Sequence, residues 1–380
     1  MPGDYDFDAA MVHPNLVREI TLFHLTVSQL RRLATRMQEQ FPALMRLVLG
    51  GNSDPALALP DGFLGGSAPR LQFLGLNSVA FPALPKFLMS ATDLVYLTLV
   101  RIPHFGFISP EAIIAGLAVM TNLKTVIIGF QSPLSRPERK RRRPPPPTRT
   151  VLPALTHFQC QGVSEYLEDL VARIDTPRLD SIKINFFHQL IFEIPQFTQF
   201  MKRTTRFQAL NEAHASFGKS GIRVGYSWLP IPESSSLGIS CKELDWQLSS
   251  LAQVLTIFFP SIHLVERLYI YNTPYSPPQW QDDIENLNMQ WLEILEPFTA
   301  VKNLYLSRRL APYIVPALQE LVESRMTEVF STLQNIFLEG HQPSGPILEG
   351  IGRFVAARQL SGHPITVFPW KRPRWDLEDD

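Results

Sequence analysis

Nine histidines and two cysteines are the residues of this 380-residue chain best suited to holding a metal or making a nucleophile. Their spacing supports neither use. No His-Glu-x-x-His pair occurs, and Cys160 and Cys241 stand too far apart for a zinc-finger arrangement. Cys160 follows His157 closely enough to suggest a thiol with its base, but on a strand the two side chains would point to opposite faces. Cys160 therefore reads as a small buried hydrophobe. The glycines of GGNSD and GFLGGS read as turns, since neither run leads into the lysine and hydroxyl residue of a phosphate-binding loop. The expectation is a protein with no catalytic residues, no metal and no cofactor.

The loudest charged feature is RPERKRRRPPPP, from Arg136 to Pro147. Arg139, Lys140, Arg141, Arg142 and Arg143 concentrate charge as in a nuclear-import signal or a small polyanion-binding loop. A solvated insertion held extended by its prolines accounts for the same residues, so the region 132–149 is expected to be a disordered loop. Elsewhere charge points to no partner. Lysine plus arginine equals aspartate plus glutamate at 35 each, which disfavours nucleic acid and an anionic membrane as main partners.

What remains is a recurring apolar pattern and the residues it leaves facing outward. ALMRLVLGGN contains Leu44, Leu47, Leu49 and Asn52 at the spacing of a leucine-rich repeat, in which the asparagine side chain is expected to bond backbone at the turn. Apolar versions recur with first positions 17, 44, 71, 94, 123, 155, 179, 210, 265, 301 and 333. Most spacings are close to one repeat, whereas the step from 210 to 265 is about two. Alternation at Ile222, Val224 and Tyr226 and at Leu237, Ile239 and Cys241 marks an irregular meander around 203–250.

Between these strands, helical spacing recurs. Helices are expected at Ser28–Phe41 with Ser28 as cap, and at Pro110–Met120, Glu165–Ile174, Leu248–Phe259, Gln290–Phe298, Pro312–Phe330 and Pro346–Gln359. Alternating strand and helix at this period predicts an α/β leucine-rich-repeat solenoid, a curved parallel sheet backed by helices. The expected divisions are a disordered tail at 1–12, a repeat domain over 13–370 and a C-terminal tail at 371–380. In each repeat, residues two and four places after the first apolar position face away from the core. They include Arg46, Phe73, Tyr96, His157, Lys183, Arg267, Tyr269, Tyr305 and Phe337. Aromatic residues and arginine are favoured interface anchors, so this row is the candidate surface for a protein partner. The competing explanation is that exposed strand positions favour aromatics for sheet packing alone.

Hydrophobic residues make up 45% of the chain and charged residues 18%, enough apolar surface for an extended core. The N-terminal MPGDYDFDAAMVHPNL resembles neither a secretory signal nor a mitochondrial presequence, and no stretch approaches a membrane span. With two cysteines only, an intracellular protein, cytoplasmic or nuclear, is expected.

HPNLVREITLFHL, FPALMRLVL, SAPRLQFLGLNSVAFPALPKFLMSATDLVYLTL and RFVAARQLSGHPITVFPW together resemble the fungal F-box and leucine-rich-repeat proteins, from about His13 to Trp370. The resemblance implies a recognition surface and, in members with an F-box, delivery of substrates to a cullin-type ubiquitin ligase. Only some sixteen residues precede the first repeat and none makes an amphipathic helix, so the F-box itself is not present. A cullin adaptor is implied as partner only if an upstream F-box exists; otherwise the resemblance leaves a scaffold or regulator that binds protein through the same face.

Overall fold

The computed structural model describes residues 13–52, 57–135, 148–204, 207, 211–226, 235–273, 287–324, 329–340 and 346–372. The chain divides into two compact units, Met1–Ile182 and Lys183–Asp380.

In the first unit, strands β1 (Glu19–Leu25), β2 (Arg46–Gly51), β3 (Phe73–Asn77), β4 (Tyr96–Ile102), β5 (Thr125–Phe130) and β6 (His157–Gly162) lie side by side, each parallel to the next. The register is residue on residue. Leu47, Leu74, Leu97, Val126 and Phe158 form one line across the sheet, and Leu49, Leu76, Leu99, Ile128 and Cys160 a second. None of the ten is more than 3% exposed. One backbone bond recurs where each strand begins: Gln72 donates to Met45 O, Val95 to Gln72 O, Lys124 to Val95 O and Thr156 to Lys124 O. Identical entry geometry keeps the register from slipping, and a slip of one residue would turn every leucine outward. At the end of the sheet Ile20 is buried, whereas Val17 and Leu22 are only half-buried, because among the described residues β1 has a neighbour strand on one side alone.

Helices α1 (Val27–Arg36), α2 (Leu84–Leu88), α3 (Pro110–Leu117) and α4 (Ser164–Val171) follow strands of this unit. Three local expectations need correction. The cap of α1 is Thr26, not Ser28, because Thr26 and Gln29 complete a reciprocal capping box. Helix α4 stops before Ile174, which with Asp175 pairs alongside Thr150 and Val151. Asn52 is exposed; β2 runs on through Gly50 and Gly51, and the bond at position 52 is made by the backbone N–H to Leu25 O. Pro133–Ser135, inside the expected disordered loop, form a short 3-10 turn, and the basic run 136–147 lies outside the described residues, as do 1–12 and 373–380.

The second unit contains a mixed sheet, and its antiparallel pairs fall inside the stretch expected to be an irregular meander. Strand β7 (Ser181–Phe187) crosses the division, and its residues from Lys183 onward are parallel to β10 (Ser236–Ser240). Strand β9 (Gly221–Gly225) is antiparallel both to β10 and to β8 (Glu212–Gly218). Lys219 and Ser220 alone join β8 to β9, too short a link for a parallel crossover. The parallel series then resumes through β11 (Arg267–Asn272), β12 (Asn303–Leu306), β13 (Asn335–Glu339) and β14 (Thr366–Trp370). The meander expected around 203–250 is therefore a pair of hairpins. Buried Gln247 ties it down, its Nε2 donating to Gly218 O at 3.0 Å and to Cys241 O at 2.8 Å.

Among the described residues the unit also holds helices α5 (Pro195–Arg203), α6 (Leu244–Phe258), α7 (Asn288–Leu295), α8 (Ala311–Ser324) and α9 (Pro346–Leu360). Sequence spacing missed α5 and α2. It also ran the expected Pro312–Phe330 helix too long, since Val329 and Phe330 sit in a turn, Phe330 with φ of 52°.

Two consequences can be measured. Leu97 is fully buried in the middle of its line, and Leu97→Ala should lower stability by about 2–5 kcal/mol, read as a lower urea midpoint with an unchanged slope. Burial also pushes the Cys160 thiol up to about 12. At pH 8 its thiolate fraction is then about a thousandfold below that of an ordinary cysteine, so alkylation of Cys160 should wait on unfolding. Equal alkylation rates in buffer and in urea would show the side chain to be exposed.

Candidate functional site

The in-register strands of the second unit place five rings in one outward line: His214, Tyr269, Tyr305, Phe337 and Phe368 occupy matching positions on β8, β11, β12, β13 and β14. They stack. His214 and Tyr269 lie 4.4 Å apart at 4°, Tyr269 and Tyr305 4.1 Å at 17°, Tyr305 and Phe337 4.3 Å at 8°, and Phe337 and Phe368 5.4 Å at 23°. Parallel strands are about 4.7–4.9 Å apart, so one strand spacing almost matches a stacking distance, and the first four rings lean together to close the difference. Each ring covers its neighbours' faces, which is why Tyr269 is only 8% exposed despite pointing away from the core. What the ladder presents outward is ring edges, the positive rim of each aromatic quadrupole.

A polar line runs beside it through Glu212, Arg267, Asn303, Asn335 and Thr366. His214 Nε2 lies 2.6 Å from Glu212 Oε1, and Arg267 donates to Glu212 Oε2 across 3.2 Å. Asn335 Nδ2 donates to Asn303 Oδ1 at 2.8 Å. The Arg267 side chain keeps 44% exposure, so its guanidinium is available to a partner while its carboxylate contact aims it.

Toward the strand ends, Tyr271 of β11 and Trp370 of β14 each make further ring contacts. Trp370 lies 5.5 Å from Tyr305 at 66° and 6.2 Å from Tyr269 at 49°. Arg372 places its guanidinium 4.1 Å over the Tyr271 ring and donates from Nη1 to Asn272 O at 2.7 Å.

In the first unit the Arg46 guanidinium sits 3.9 Å over Phe73, and Phe73 lies 5.7 Å from Tyr96 at 32°. Tyr96 is 42% exposed. His157 stands two strands further along, with Nδ1 2.8 Å from Thr156 Oγ1, and faces away from buried Cys160. A thiol–imidazole pair is thereby ruled out for these two residues.

Sequence spacing thus found Arg46, Phe73 and Tyr96, which meet in one unit, and Arg267, Tyr269, Tyr305 and Phe337, which meet in the other. Lys183 is separate from that ladder. It shares a register line with His214 only through Ser236 and Gly225, two strands carrying almost no side chain between them. Tyr271, Phe368, Trp370 and Arg372 lie outside the candidate residues read from the sequence. His214 falls in the outward row of the degenerate repeat at 210, though not among the candidate anchors; the other four extend the pattern beyond the two outward positions taken per strand.

Among the described residues no group of three or more His, Cys, Asp or Glu is placed to hold a metal ion. None of the described helices is long and apolar enough to cross a membrane. No protein-family profile matches the chain, and no curated protein matches it. Among solved structures, the leucine-rich repeat-containing protein LegL7 from Legionella pneumophila is similar over 95% of this chain and 96% of that one, at 15% identity and a TM-score of 0.33. A likeness at that distance defines no family for this chain.

Proposed function

We propose that this chain is a non-enzymatic protein-recognition module built of leucine-rich-repeat-like rungs, and that its partner binds the outward strand face. The observation that carries this is the stacked ladder with Arg267 at its rim. Rings that brace one another lose little freedom on binding, and aromatic residues with arginine are the side chains on which interface energy concentrates. Arg46, Phe73 and Tyr96 extend the same chemistry in the first unit. Two buried free thiols suit a cytoplasmic or nuclear setting.

The resemblance to fungal F-box and leucine-rich-repeat proteins refines the proposal to a receptor that selects substrates for a ubiquitin ligase. Its support is the sequence runs quoted above. A scaffold or regulator outside the ligase system uses the same face without a cullin adaptor, so co-purification of such an adaptor separates the two.

Proximity labelling with the wild-type chain, Arg267→Ala and Arg353→Glu tests the face itself. Arg353 is on α9, with 68% side-chain exposure. Partners should fall at least about tenfold with Arg267→Ala, the scale of one anchor, and persist with Arg353→Glu. Undiminished recovery by Arg267→Ala would rule this face out.

A further inference from the structure

We infer that Trp370–Arg372 is an intramolecular occupant of the aromatic face, held where a partner segment with an aromatic residue and an arginine two positions later would bind. The inference rests on the protein-binding reading of that face and adds what the partner looks like and what it must displace.

The geometry is unusual for the end of a sheet. Strand β14 is the last in the order, separated from β11 by β13 and β12, a distance of about 14 Å at ordinary strand spacing. Yet both residues reach back across that distance. Trp370 lies against Tyr305 and Tyr269, and Arg372 reaches both the ring of Tyr271 and the carbonyl of Asn272 on β11. Pairing of β14 with β13 is complete through Trp370, so closing the sheet does not require either contact. Between them Lys371 is exposed, and Phe368, two residues before Trp370 on the same strand, is 40% exposed.

The contacts also match what the face offers. The stacked ladder presents ring edges, and the steep angle of Trp370 to Tyr305 is the arrangement in which an edge meets a π face. Tyr271 stands at 78° to His214 instead of stacking in the ladder, which leaves a ring face for a cation. Arg372 uses that face and adds a charge-assisted bond to a backbone carbonyl. A flat aromatic and a guanidinium two residues apart therefore satisfy the two subsites together. Because the occupant is tethered, its effective concentration is in about the millimolar range, and a partner with the same chemistry must outcompete it.

The test uses the full chain and a fluorescent peptide with the sequence of residues 368–373, FPWKRP. With Trp370→Ala/Arg372→Ala the subsites open, and the peptide should bind at least about tenfold more tightly than to wild type. Adding Tyr271→Ala to that variant, or replacing the tryptophan and arginine of the peptide by alanine, should remove the gain. Arg372→Ala alone, which leaves β14 unchanged and opens the Tyr271 subsite, makes the comparison for the cation if the double variant melts early. Equal affinity for wild type and opened variants overturns the inference, as does absence of binding to both at about 1 mM peptide. Failure here with partner loss retained in Arg267→Ala removes the occupant and leaves the binding face standing; undiminished partner recovery by Arg267→Ala removes the face.

Discussion

In-register parallel pairing is the constraint on which the rest of this structure depends. It sets equivalent positions of successive strands at one spacing, and that spacing serves two purposes on two faces. Inward, it stacks Leu47, Leu74 and Leu97, and separately Leu268, Leu304 and Ile336, into continuous apolar lines. Each fully buried leucine contributes about 1.5–3 kcal/mol, so no rung is stable alone and each depends on its neighbours. Outward, the same spacing brings rings within stacking distance, and the ladder from His214 to Phe368 follows without separate design of each contact.

Where the pairing changes sense, the core changes composition. On β8 the first two inward positions are Ala213 and Ala215, in place of the larger side chains found elsewhere. Volume is recovered from the helices: Trp291 of α7 is fully buried 5.4 Å from Phe217, leaving a void of only about 10 Å³ among Ala213, Ala215, Leu251 and Trp291. Close packing at the interior's ordinary density requires this exchange of strand volume for helix volume. It also explains why the repeat at 210 looked degenerate. The signature lies in the strand, and here the bulk lies in α7.

The pairing of faces with roles follows the same logic. Tyr269 is buried and outward at once, because its neighbours in the ladder shield it and the core does not. Burial alone would have assigned it to the core, and sequence alone would have called it exposed; stacking reconciles the two. Glu212 plays a comparable part for charge, bonding both His214 and Arg267 and so orienting the one side chain of that group that stays substantially open to solvent.

The strand register and the inward lines were legible in the sequence, because apolar residues at Leu-x-x-Leu-x-Leu spacing can bury only in one alternation and repeat only at one period. The outward row was legible for the same reason, down to Arg267, Tyr269, Tyr305 and Phe337. Three features were not. The antiparallel return of β9 depends on a two-residue link and on Gln247 holding two carbonyls, contacts between segments distant in sequence. The cap at Thr26 depends on a reciprocal bond, which residue type alone does not choose. The approach of Trp370 and Arg372 to β11 depends on the path of the chain past the last strand, where no periodicity constrains it. Local pattern specified the rungs; only tertiary structure decided which side chains met across them.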